Sequence, residues 1–164
     1  MDFIDKETLH TLAKKYNEND ITNAVVSIVM SGESEQDGKS CEEYLLEYIR
    51  VVEGVRVRLK EIHWSTKSST IHQLTDSLTA MIMSFEDEIT EAFMGVCGFK
   101  VKVGQIVPII PEASEHDDII DYLSMQTLGI IKVLINDHRF LGVTHKLEDL
   151  YFELNKFRYL ATQE

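Results

Sequence analysis

The sequence predicts an all-α fold: a four-helix bundle with a long crossover between the second and third helices, preceded by a helical N-terminal extension. Three observations carry this. Apolar residues recur at alternating intervals of four and three through four long stretches, the spacing of helices that bury one face. Only two prolines occur in 164 residues, Pro108 and Pro111, and both fall in one segment. That segment, 99–112, has no helical period, and it separates the second pattern from the third as a crossover would. The chain divides into an extension and linker, residues 1–39, and a bundle, residues 40–164.

Within the extension, DKETLHTLAKKYNEND (5–20) reads as a short helix, followed by the apolar AVVSIVM (24–30). SGESEQDGKS (31–40) then reads as a flexible linker. The first bundle helix carries one continuous stripe: Cys41, Leu45, Tyr48, Val52, Val55, Leu59 and Ile62. It stops at HWSTKSS, where Ser and Thr hydroxyls compete for backbone hydrogen bonds and Ser68 or Ser69 can cap the next helix. The second helix is predicted from Ile71, Leu74, Leu78, Met81, Phe85, Ile89, Ala92 and Val96, with Gly98 as its stop. The prolines and β-branched residues of 99–112 make a regular helix there unfavourable. Ser114 and Asp117 have the spacing of a capping box for a third helix, whose stripe is Ile120, Leu123, Thr127, Ile130 and Leu134. HRFLGVT (138–144) reads as a turn. A fourth helix, about 145–162, carries Leu147, Leu150, Leu154, Phe157 and Ala161.

Composition narrows function. The net charge of −12 and pI near 4.9 argue against a nucleic-acid or membrane surface, because neutralising phosphate needs clustered Lys and Arg. Lys14–Lys15 is the extension's one basic pair, so DNA binding through a basic tail is not expected. No apolar run is long enough to span a bilayer and no signal peptide is evident. Cys41 and Cys97 fit no metal-ligand spacing, and two cysteines in a protein of this size are expected to stay reduced, in a cytoplasmic location.

The residues that could carry chemistry lie in the first two bundle helices. The Glu-x-x-His pattern of intrachain di-metal bundles occurs only once, as Glu7–His10, outside the bundle. A second set is His63, His72, Asp87 and Glu91. Asp87 and Glu91 are four apart, on neighbouring turns of one helix face. His72 precedes Asp87 by fifteen residues, a rise of about 22 Å, so one chain cannot bring both to one ion. Two copies of this helix, antiparallel about a two-fold axis near residues 80–82, would place His72 of one chain beside Asp87 and Glu91 of the other. Two imidazoles and two carboxylates suit Fe(II), Mn(II) or Zn(II).

At these residues the sequence resembles the Dps family, the DNA-protection-during-starvation miniferritins of the ferritin-like superfamily. The resemblance rests on His63–Trp64 ending one helix, His72 opening the next, and DEITEAFMGVCG (87–98). It covers about residues 41–162. It implies a ferritin-like four-helix bundle with a ferroxidase site shared across a dimer interface: His63 and His72 from one subunit, Asp87 and Glu91 from the other. Iron(II) would be oxidised there by peroxide or oxygen, for iron storage and protection against oxidative stress, within a homo-oligomer that reaches a dodecamer in the family. Trp64 would order the site's surroundings or intercept radicals, or else serve as a core aromatic. The interval between the histidines is about one helical turn shorter than the family's, and Gln73, Leu74, Thr75 and Asp76 leave one acid where several mineral-nucleating acids are usual. These departures support the alternative of a ferritin-like bundle reused as a structural or assembly protein, its N-terminal extension docking an unidentified partner. Manganese or zinc in place of iron stays open.

Overall fold

The computed structural model of the chain describes residues 40–161. The expected helix at 5–20 and the Glu7–His10 pattern lie outside the described residues. Four helices make up the bundle: α1 (Cys41–Ser65), α2 (Ser69–Cys97), α3 (His116–Leu134) and α4 (Leu141–Ala161), with one 3-10 turn at His138–Phe140. No strand forms among the described residues.

Each boundary has a local cause. Ser40 and Glu43 close a capping box: the Ser40 N–H donates to the Glu43 carboxylate (2.6 Å), and the Glu43 N–H donates to Ser40 Oγ (3.2 Å). Such a cap stabilises a helix end by about 1 kcal/mol. Ser68 Oγ accepts from the Ile71 N–H and caps α2. Gly98, at φ +67°, ends α2 in the left-handed conformation that glycine tolerates best.

The crossover, residues 98–115, fixes the direction of the last two helices. Gln105 donates to Glu42, Arg50 Nε to the Val107 carbonyl (2.9 Å), the Ile109 N–H to the Arg50 carbonyl (2.8 Å), and Arg58 Nε to the Pro111 carbonyl (3.0 Å). These contacts climb α1 from its start towards its end. The segment thus runs along α1 and delivers α3 to the end of the bundle opposite the one where α2 stopped. α1 rises, α2 and α3 both descend, and α4 rises again. α1 packs on α2 and α3, and α4 packs on the same two. Arg58 can reach the crossover because Gly54 lets the Ile109–Ile110 backbone lie directly against the helix.

The core is apolar along its length: Leu45, Val55 and Leu59 of α1, Leu78, Ile82 and Phe93 of α2, Ile120 and Leu123 of α3, and Leu147 and Leu154 of α4 are all buried. Each contributes on the order of 2 kcal/mol by leaving water. One buried polar pair crosses it, Tyr48 Oη with Thr127 Oγ1 at 3.2 Å.

Four expectations need correction. Cys41 and Cys97 do not stay reduced; they form a disulfide, with Cα atoms 5.8 Å apart. The cause is topological: two antiparallel helices of 25 and 29 residues bring the first residue of one opposite the last of the other. The buried face of α2 is centred on Thr75, Leu78, Ile82, Ile89 and Phe93, so Met81, Phe85 and Ala92 lie at its flank and Val96 is exposed. Ser114 does not cap α3: Glu115 is the N-cap and makes no side-chain cap bond, while Asp117 Oδ1 lies 3.2 Å from Nε2 of the buried His116. Finally, α4 starts at Leu141, inside the predicted turn. Asp137 Oδ1 accepts from the Arg139 N–H, Phe140 packs 5.8 Å from Phe93, and Val143 and Thr144 are buried.

Candidate metal centre

A three-residue turn, Thr66–Ser68, joins α1 to α2 and folds the last turn of one helix onto the first turn of the other. It is tightened by the Thr66 N–H donating to the Ile62 carbonyl and the Ser68 N–H to Thr66 Oγ1. His63 and His72 meet across it. Their rings stack with centroids 3.6 Å apart and 30° between planes.

The two imidazoles brace each other through the backbone. His63 Nδ1 lies 3.3 Å from the His72 carbonyl oxygen, and His72 Nδ1 lies 3.3 Å from the His63 carbonyl oxygen. A carbonyl only accepts, so a hydrogen bond at these contacts requires each Nδ1 to carry the proton, which leaves the Nε2 lone pair of a neutral imidazole free. Neither Nε2 has a hydrogen-bond partner among the described residues. Asp76, one turn past His72, completes a cluster in which ligand-capable atoms of His63, His72 and Asp76 all lie within 4.8 Å of one another. Its Oδ1 is 3.2 Å from His63 Nδ1. Two imidazoles and a carboxylate this close together are a donor set that could hold a metal ion.

Asp87 and Glu91 lie elsewhere. Both are exposed on the far half of α2, and neither has an ion-pair or hydrogen-bond partner among the described residues. Neighbouring acids are engaged: Glu88 pairs with Lys146, and Glu86 with Arg56. His72, Asp76, Ala80, Met83, Asp87 and Glu91 together form an exposed stripe along α2 whose spacing reads the same in either direction. The midpoint of His72 and Glu91 falls between Met81 and Ile82, and so does the midpoint of Asp76 and Asp87.

Sequence reasoning missed Asp76 as a member of the cluster. The signal was available, since it follows His72 by four residues and therefore shares its face. Trp64 is 74% exposed, which removes the core-aromatic reading. Two further carboxylates at the α1–α2 contact, Glu53 and Glu86, are both clamped by the Arg56 guanidinium, at 2.7 and 2.9 Å. Burial, followed by repulsion from Glu53, pushes the Glu86 carboxyl up to about 7 against the pull of Arg56.

The chain matches no family model, no curated protein and no solved structure. No described helix is long and apolar enough to cross a membrane.

Proposed function

We propose that the chain is a Dps-like, ferritin-like ferroxidase that oxidises Fe(II) with peroxide or oxygen at a site shared between two subunits. The palindromic stripe of α2 carries this reading. An antiparallel copy of α2, centred between Met81 and Ile82, sets His72 against Glu91 of the partner subunit and Asp76 against Asp87 of the partner subunit. Each pair lies about 8–14 Å from the axis at 1.5 Å per residue. Ala80 and Met83 at the centre allow close approach. Without a cation the arrangement would face carboxylate with carboxylate, so charge as well as donor type favours bound metal.

Iron is the substrate here. The Nε2 atoms of His63 and His72, left without hydrogen-bond partners among the described residues, suit Fe(II), and the carboxylates stabilise the Fe(III) product. Each peroxide takes two electrons from two Fe(II) and two protons, and leaves as two waters. Manganese and zinc fit the same donors, and competition against Fe(II) ranks them. Assembly beyond the dimer, up to a dodecamer, is read directly from native mass.

The decisive experiment is anaerobic Fe(II) titration followed by peroxide. The full chain should oxidise iron faster than buffer, and His63→Ala/His72→Ala or Asp87→Ala/Glu91→Ala should not. Mixing the two double variants after unfolding and refolding together should restore roughly a quarter of the activity, because half of random dimers are hybrids and each hybrid holds one complete site of two. Oxidation by the wild type no faster than buffer sinks the enzyme. A dimer that binds no iron would leave the alternative, a bundle serving assembly.

A further inference from the structure

We propose that Thr75 is a positioning residue for this centre: it holds the Nδ1–H of His63 and thereby turns the Nε2 lone pair of that ring towards the ligand. The inference rests on reading the cluster as a metal centre and names a residue that reading does not use.

Thr75 is fully buried, on the face of α2 that packs against α1. Its Oγ1 lies 2.9 Å from the Ile71 carbonyl, 3.0 Å from the His72 carbonyl and 3.3 Å from His63 Nδ1. A hydroxyl has one proton and two lone pairs. Both carbonyls can only accept, so the hydroxyl proton is committed to them, and what Oγ1 presents to His63 is a lone pair. That lone pair can be filled only by an N–H.

The other two acceptors around His63 Nδ1 hold it less firmly. Asp76 approaches to 3.2 Å, but its side chain is 69% exposed and free to exchange partners with water. The His72 carbonyl, 3.3 Å away, shares its two lone pairs with the Thr75 hydroxyl, which lies closer at 3.0 Å. Thr75 is the acceptor that water does not reach, and a β-branched side chain in a helix has few rotamers through which to move away. Outer partners of this kind, bonded to the ring nitrogen that does not face the metal, set a ligand imidazole's tautomer and angle. Their loss typically costs 10–100-fold in affinity.

Thr75→Val keeps shape and burial and removes the lone pair. Nitrogen-15 NMR of the metal-free full chain should show His63 as the Nδ1–H tautomer in the wild type and in Thr75→Ser, and a shift towards the Nε2–H tautomer in Thr75→Val. Cobalt(II), followed by its visible absorption, should bind Thr75→Val about 10–100-fold more weakly than the wild type, with Thr75→Ser close to the wild type. Thr75→Val with an unchanged tautomer and unchanged cobalt(II) affinity overturns the role, as does an Nε2–H tautomer in the wild type. If the wild type binds no cobalt(II), the metal-centre reading falls separately, and the nitrogen spectra alone decide what Thr75 does.

Discussion

Replacing Gly54 by alanine sets two effects of opposite sign at one atom. Gly54 is interior to α1, where alanine is favoured over glycine by roughly 0.5–1 kcal/mol. A Cβ at this position, however, would fall inside the van der Waals envelope of the Ile109 carbonyl and 2.9 Å from the Ile110 nitrogen. These are backbone atoms, which cannot swing aside as a side-chain tip can. Relief requires the crossover to lift from α1, breaking the bonds that join Arg50 to Val107 and Ile109 and Arg58 to Pro111. At about 1 kcal/mol for the neutral bond and somewhat more for the two from guanidinium groups, lifting costs about 3–5 kcal/mol. The net expectation is destabilisation by about 2–4 kcal/mol. Gly95 is the matched control: it is also helical, and nothing lies within 4 Å of a Cβ added there. Gly95→Ala should stabilise by roughly 0.5–1 kcal/mol. Urea unfolding at constant pH measures both. A Gly54→Ala midpoint at or above that of Gly95→Ala would refute the claim that the crossover is held by backbone contact.

Three further outcomes concern other parts of the molecule. Opening the disulfide by Cys41→Ser or Cys97→Ser should lower stability by up to about 4 kcal/mol, from loop-closure entropy over a separation of 56 residues; denaturant midpoints with and without reductant measure it, and the double variant should lose its response to reductant. Glu86 titrates higher folded, at about 7, than its ordinary 4.5, so the folded chain holds this proton more tightly than the unfolded one. Its stabilising contribution is therefore full below about 4.5 and is lost as pH rises to about 7, a change on the order of 2 kcal/mol after allowing for partial solvent screening. Glu86→Gln should flatten that part of the stability–pH curve. Leu78→Ala, at a fully buried site, should cost about 2–5 kcal/mol in the same assay, whereas Val96→Ala, on the exposed face, should fall within about 0.5 kcal/mol of the wild type.

The legibility of the fold varied with how sharply each helix separates its faces. α1 has a single apolar stripe, and six of its seven predicted positions are buried, with Cys41 partly so. α2 is apolar over a wider arc, so the stripe through Met81 and Phe85 competes with that through Ile82 and Phe93. Period alone could not choose between them, and packing against α1 and α4 decided it. The start of α4 was hidden by Gly142, which resembles a turn residue but lies exposed in the helix, while Phe140 and Val143 on either side are drawn into the core. The cysteine pairing was calculable: two helices of similar length joined by a short turn must return the chain to its starting end. At the candidate site, residue types and helix faces were visible, and the pairing of His63 with His72 followed from the short turn. The mutual brace and the place of Thr75 depend on ring orientation, which no spacing encodes.

The bridge between Cys41 and Cys97 makes α1, the turn and α2 a closed covalent ring. His63, His72, Asp76, Asp87 and Glu91 all belong to that ring, and α3 and α4 contribute no member. A cut anywhere in the crossover or beyond it would leave every candidate ligand on one cyclic piece, with the apolar faces that α3 and α4 normally cover. The bundle thus separates into a half that carries the candidate ligands and is sealed end to end, and a supporting half that completes its core.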